Sequence, residues 1–301
     1  VFSYEIIQES IMELQQQPSV IPLYIACLLK KPHAINKDNF QRLSQLSLSM
    51  KDVKISHSKL NSFKKFFNIN SDNKALPISF LHLLVFRPHL KFMLSKQLPF
   101  PVLGLVHMYN DIISHHDVYI DDTVNIDISI TEINQTKKGT EITLHSKIFN
   151  KNRLVWESFS GYLHPNRQKT TEKRRPKKPR INMEYQHSKD WEIQSNIGRQ
   201  YALLSGDANP IHLASFLAKL FGFKQAIAHG MCMAFKSCAE LESLSNFSKP
   251  AKRLKVQFNK PVFLPSQVSF KYSQGKQDSH FCIHKPSAKK PLLTGTIWQS
   301  P

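Results

Sequence analysis

Residues 201–231 read YALLSGDANPIHLASFLAKLFGFKQAIAHGM, and this stretch sets the reading of the whole chain. Proline at 210 biases Asn209 toward an extended backbone, so Asp207-Ala208-Asn209-Pro210 is predicted to form an irregular turn between helical segments. Across such a turn the side chains of Asp207, Asn209 and His212 converge instead of spiralling apart. A carboxylate and an imidazole placed this way can both reach one water molecule, the minimum apparatus for acid–base chemistry near neutral pH. Taken singly, Asp207 also fits an Asx turn or helix cap, and His212 a core imidazole. A second polar turn, His229-Gly230, is predicted to open the next helix.

The pattern Y-x-x-L-S-G-D-x-N-P-I-H, followed by G-F and then I-A-H-G-M, resembles the signature of the MaoC-like, (R)-specific enoyl-CoA hydratase (hydratase 2) family. The match is specific over 180–301, weaker over 75–165 and thin before that. What the resemblance implies is a hot-dog fold, a curved antiparallel sheet wrapped around one long helix. It also implies reversible syn addition of water to a trans-2-enoyl thioester. In that scheme Asp207 and His212 hold and activate the water, and Asn209 orients it. The Gly230 amide binds the thioester oxygen. No cofactor or metal is implied. The partner is an acyl-CoA or acyl carrier protein thioester. Many members carry Asp or Asn two residues after the histidine, where this chain has Ala214, which bears on a local helix cap. His229 is expected to shape its turn and hydrogen-bond the backbone, and Ser205 and Tyr201 to serve packing and turn geometry.

Working outward, His229 to Ser243 reads as a helix and is followed by four strand-like runs, RLKVQFNKPVFL, QVSFKYSQ, HFCIHK and LLTGTIWQ. The first half has the same order. Ile78 to Leu98 is an apolar helix with a break or kink expected at Pro88, and four alternating segments follow between Val102 and Leu163. Two echoes support a repeat: Leu103–Asn110 with Arg253–Asn259, and Ser160-Gly161 with Thr294-Gly295. The expected class is therefore α+β, a double hot dog with two tandem curved antiparallel sheets. The expected divisions are a helical extension over 1–50, a degenerate hot-dog domain over 51–165, a linker over 166–180 and a catalytic domain over 181–301. The extension is predicted as helix over Ile6 to Leu14, ended by Pro18, with Val20 to Leu29 a packed helix. Ile55 to Asn68 is a further short helix. Asn68-Ile-Asn-Ser-Asp72 is the nearest counterpart of the polar turn, but no Pro-x-His follows it, so the first half is expected to widen an acyl tunnel or complete the pseudo-dimer instead of doing chemistry. The linker, NRQKTTEKRRPKKPR, is a like-charged run with prolines and cannot build a core.

The net charge is +19, from 41 basic and 22 acidic residues, which would draw coenzyme A phosphates or an acidic carrier protein. The basic residues are spread out without a nucleic-acid motif, so no specific nucleic-acid partner is expected. No run approaches the roughly 20 apolar residues a membrane span needs. The N-terminus lacks a secretory pattern, and Cys27, Cys232, Cys238 and Cys282 show no CxxC pairing, which points to reduced core thiols in a cytoplasmic protein. His115-His116-Asp117 is read as a solvated turn without metal-ligand spacing. A tandem hot dog supplies its own pseudo-dimer, so a monomer or a homodimer is expected. The competing functions are a hot-dog thioesterase and a non-catalytic acyl-chain or nucleic-acid binding module.

Overall fold

Side chains along a strand point alternately to opposite faces, so an apolar-polar alternation buries one face of a sheet. That alternation produces β3 (Val106–Ser114), β4 (Thr123–Thr136), β5 (Gly139–Asn150) and β6 (Arg153–Pro165) in the first half. In the second half it produces β8 (Arg253–Phe258), β9 (Ser266–Gln274), β10 (Asp278–His284) and β11 (Leu293–Trp298). The computed structural model describes residues 11–33, 42–70, 73–166, 184–244, 250–286, 288 and 290–300. The basic linker expectation lies almost wholly outside these residues.

Three further strands complete the sheet: β1 (Ile11–Leu14), β2 (Ser47–Lys54) and β7 (His187–Ile193). The strand order is β1-β2-β4-β5-β6-β3-β8-β11-β10-β9-β7. Apart from β1 at the outer edge, each half supplies five strands in the same arrangement, β2-β4-β5-β6-β3 and β7-β9-β10-β11-β8. The two sheets of the double hot dog join edge to edge at an antiparallel β3/β8 seam. Tyr109 pairs Gln257 and Asn110 pairs Val256 there, while Gly161 faces Tyr109 and Gly295 faces Val256. Both glycines of the echo thus lie opposite a residue of their own half's seam strand. Arg253 closes the seam with a fork of two bonds to Asp111, 2.9 and 2.8 Å.

Helices α3 (Ile78–Met93) and α7 (Gly230–Leu244) are the central helices of the two halves. Both bury residues on nearly every side, as an all-round apolar sequence requires. α3 packs on β2, β3, β4 and β6, and α7 on β8 and β11. The indole N–H of the fully buried Trp156 donates to the Ile78 carbonyl at 3.1 Å and pins the start of α3 to β6. Of the break or kink expected at Pro88, the break does not occur, since α3 continues as helix through it to Met93. Burial on both sides of Pro88 holds the helix where local propensity would end it.

The N-terminal region departs further from expectation. Ile11–Leu14, read as helix, is a strand pairing parallel with β2. α1 (Val20–Leu29) is a helix as expected, but only Leu23 and Cys27 are buried, and Ile21 and Leu29 are more than 70% exposed. α2 (His57–Phe67) ends on Asn68 in the left-handed conformation, φ 54°. All four cysteines are free and buried. His115 is held at 2.9 Å by Glu157, so that turn is anchored and not merely solvated.

Candidate active site

α4 (Ile197–Ser205) delivers the polar turn. Gly206 ends it at φ 82°, a left-handed conformation that costs glycine nothing. The Ser205 hydroxyl donates to the Tyr201 carbonyl at 2.7 Å and accepts the Asp207 N–H at 3.0 Å, which turns the chain out of the helix. Asn209 then caps α5 (Pro210–Leu213), its side-chain oxygen accepting the Ile211 N–H at 3.4 Å. The Asn209 backbone N–H donates to Asp207 Oδ1 at 3.3 Å. Asn209 thus helps fix the turn. α6 (Ser215–Leu220) starts at Ala214 without a side-chain cap, as the missing Asp or Asn implied.

His212 lies on α5 and is buried. A β-carbon on Gly198 would strike the His212 carbonyl oxygen, so α4 and α5 meet as closely as backbones can. His212 Nδ1 lies 2.8 Å from the Ile227 carbonyl, which can only accept, so Nδ1 carries the proton. Nε2 is then the unprotonated nitrogen, and it has no hydrogen-bond partner among the described residues. Ile227 is itself held, bridging to Phe263 and donating to the Ile211 carbonyl at 3.0 Å. The tautomer is therefore set by backbone.

His229 stacks on His212 with centroids 3.7 Å apart. Its Nε2 donates to the Asp207 backbone carbonyl at 2.9 Å, locking the second turn onto the first. Gly230 opens α7, where the leading amides have no partner within the helix. The space a side chain would need at Gly230 is taken by the Phe258 ring, 2.7 Å from an ideal β-carbon. Glycine is thus required there by packing.

A residue that sequence reading passed over completes the set. Tyr24 on α1 donates its hydroxyl to Asp207 Oδ1 at 2.8 Å. Burial alone would push the Asp207 carboxyl up. His229, His212, the Tyr24 hydroxyl and the Asn209 amide outweigh it and hold the group below its usual value. His212 is held below the usual histidine value, chiefly by burial, and His229 is pushed by burial to about 3. Near pH 7 the site therefore presents a carboxylate beside two neutral rings. One ligand-type atom from each of Asp207, His212 and His229 lies within 4.8 Å of the others. Because His229 Nε2 carries a proton for the Asp207 carbonyl, the remaining carboxylate oxygen and ring nitrogen suit a shared water better than a metal ion.

These groups open on a cavity of about 300 Å³ that reaches into both halves. Leu83, Phe86, Leu90 and Met93 of α3 line one side, with Val102 and Leu103 beyond them. Among the described residues, no helix is long and apolar enough to cross a membrane.

Residues 176–295 match the family described as MaoC like domain. Over 259 residues the chain is 24% identical to 3-hydroxyacyl-thioester dehydratase X of Mycobacterium tuberculosis, covering 85% of this chain and 90% of that protein. The crystal structure of HtdX from the same organism superposes with a TM-score of 0.70 at 22% identity, covering 83% of this chain and 98% of the other. A MaoC-like dehydratase from Phytophthora capsici superposes with a TM-score of 0.71 at 16% identity, covering 88% and 98%.

Proposed function

We propose that this chain, an enzyme of the hydratase and dehydratase class, adds water to a trans-2-enoyl thioester to give the (R)-3-hydroxyacyl thioester, and runs the reverse reaction. The observation that carries the reading is the state of His212. A carbonyl fixes its Nδ1 proton and leaves Nε2 unprotonated, and a ring nitrogen of His212 lies within 4.8 Å of an Asp207 carboxylate oxygen. Its 3-hydroxyacyl-thioester dehydratase relative supports the same reaction class.

Asp207 and His212 hold one water between them. Nε2 takes a proton from it as the water oxygen bonds to C3, and the imidazolium formed is stabilised by Asp207. The same nitrogen then returns a proton to C2 on the same face, so addition is syn and both groups end as they began. Charge that builds on the thioester oxygen meets the Gly230 amide at the start of α7. Oxyanion donors of this kind contribute roughly 10²–10³-fold. Asn209 keeps Asp207 oriented through its backbone. The apolar wall from α3 to Leu103 receives the acyl chain, the part the first half is left to play. The basic surface attracts the phosphates of coenzyme A or an acidic carrier protein.

Incubation of the protein with trans-2-enoyl-CoA tests this directly. Enoyl absorbance should fall without release of free thiol, and the product should have the (R) configuration. Release of thiol would establish the thioesterase alternative instead.

A further inference from the structure

The cavity wall supplied by the first half is not wholly apolar. His82 on α3, and His107 and Tyr162 on β3 and β6, line the same cavity as Asp207 and His212. His107 stacks on Tyr162 with centroids 4.6 Å apart and meets Phe258 at 4.8 Å. His82 lies 5.5 Å from the Phe235 ring of α7. His82 Nδ1 and His107 Nε2 are both buried without a hydrogen-bond partner. The indole of Trp156, 6.3 Å from the His82 ring, is spent on the Ile78 carbonyl. A buried polar atom without a partner costs on the order of 1–3 kcal/mol, so two in one wall of one cavity require a reason. Neither takes part in the hydration chemistry.

We propose that His82 and His107 form a second polar contact in this cavity, receiving a hydroxyl group carried on the acyl chain beyond the reacting double bond. The inference rests on the reading of the cavity as an acyl-thioester site. A hydroxyl both donates and accepts, so it satisfies a neutral imidazole in either tautomer. Burial holds His82 near a pKa of about 3 and His107 near about 4, so both are neutral at physiological pH and offer no countercharge to a carboxylate. The rest of that wall is Leu83, Phe86, Leu90 and Met93, which suits a chain polar at one point and apolar elsewhere.

The test compares trans-2-enoyl-CoA substrates of one length, unsubstituted or carrying one hydroxyl stepped along the chain. The measured quantity is the ratio of kcat/KM for each hydroxylated substrate to that of its plain parent. The wild type should favour one hydroxyl position by about tenfold or more, the worth of one well-made hydrogen bond. His107→Phe and His82→Phe should each bring that ratio toward one. Turnover of the plain substrates with no favoured hydroxyl position would overturn the inference while leaving the hydration reading intact. A preference that survives both substitutions would overturn it too. Failure to turn over any member of the series would overturn the hydration reading, and this inference with it.

Discussion

Tyr24 shows what one residue outside the matched domain can do. Its hydroxyl holds Asp207 Oδ1 from 183 positions away in the chain. The Asp207 and His212 spacing was legible because both sit in one turn. Tyr24 was not, because its contact depends on where α1 docks, and its apolar neighbours read as packing. A hydrogen bond to a charged group contributes about 1.5–3 kcal/mol. Tyr24→Phe should therefore raise the Asp207 pKa and lower kcat/KM by roughly 10–100-fold. The titration of the Asp207 carboxyl, followed by NMR, should move upward in the variant, because a carboxylate that loses a donor is protonated at higher pH. An unshifted titration would reduce Tyr24 to a packing residue. In the proposed mechanism His212 must be unprotonated, and its pKa is held below 6.5. In the wild type kcat/KM should accordingly be flat through neutral pH and fall only below about 6.5.

Among the elements, the strands that alternate strictly were readable and those that break the pattern were not. β2 starts with Leu48 and Met50 buried, but a bulge at Asp52, φ 55°, shifts the next inward residue to Val53 and destroys the period of two. β7 lies at the sheet edge with only Trp191 and Ile193 buried, so its sequence is polar. Ile11–Leu14 alternates partly exposed residues and becomes strand only because β2 offers it an edge. The contact between α4 and α5 was equally invisible, although it sets the position of His212. Gly198→Ala would force a methyl into the His212 carbonyl, and overpacking of this kind costs about 1–3 kcal/mol. The variant should lose both melting temperature and turnover. Full activity with unchanged stability would show that the α4–α5 contact is looser than described.

For the whole molecule, the repeat was visible as a repeated element order, while the fusion of both sheets at β3/β8 was not, because pairing between strands leaves no local signal. Burying the central helices has a consequence for acid stability. Burial pushes His82, His89 and His229 to about 3 and His107 to about 4. In the unfolded chain each histidine takes up its proton near pH 6.5. The unfolded state therefore binds more protons between these limits. Stability is complete above pH 6.5 and is lost as pH falls toward 4 and 3. Four such groups give a slope of roughly 5 kcal/mol per pH unit, against a total stability of about 5–15 kcal/mol. Circular dichroism should thus show a steep cooperative unfolding between about pH 5 and 4. A gradual transition, or a native signal at pH 3, would contradict the neutral, buried state of these rings.

The measurement that bears most directly on the account is kcat/KM for trans-2-enoyl-CoA hydration by the wild type, Asp207→Asn, His212→Ala and the double variant, each with its fold verified by circular dichroism. Each single substitution should lower the value by roughly 10²–10⁴-fold, and the double variant should lose little more than either alone if the pair acts on one water as proposed. Near-normal hydration by either single variant would contradict the account.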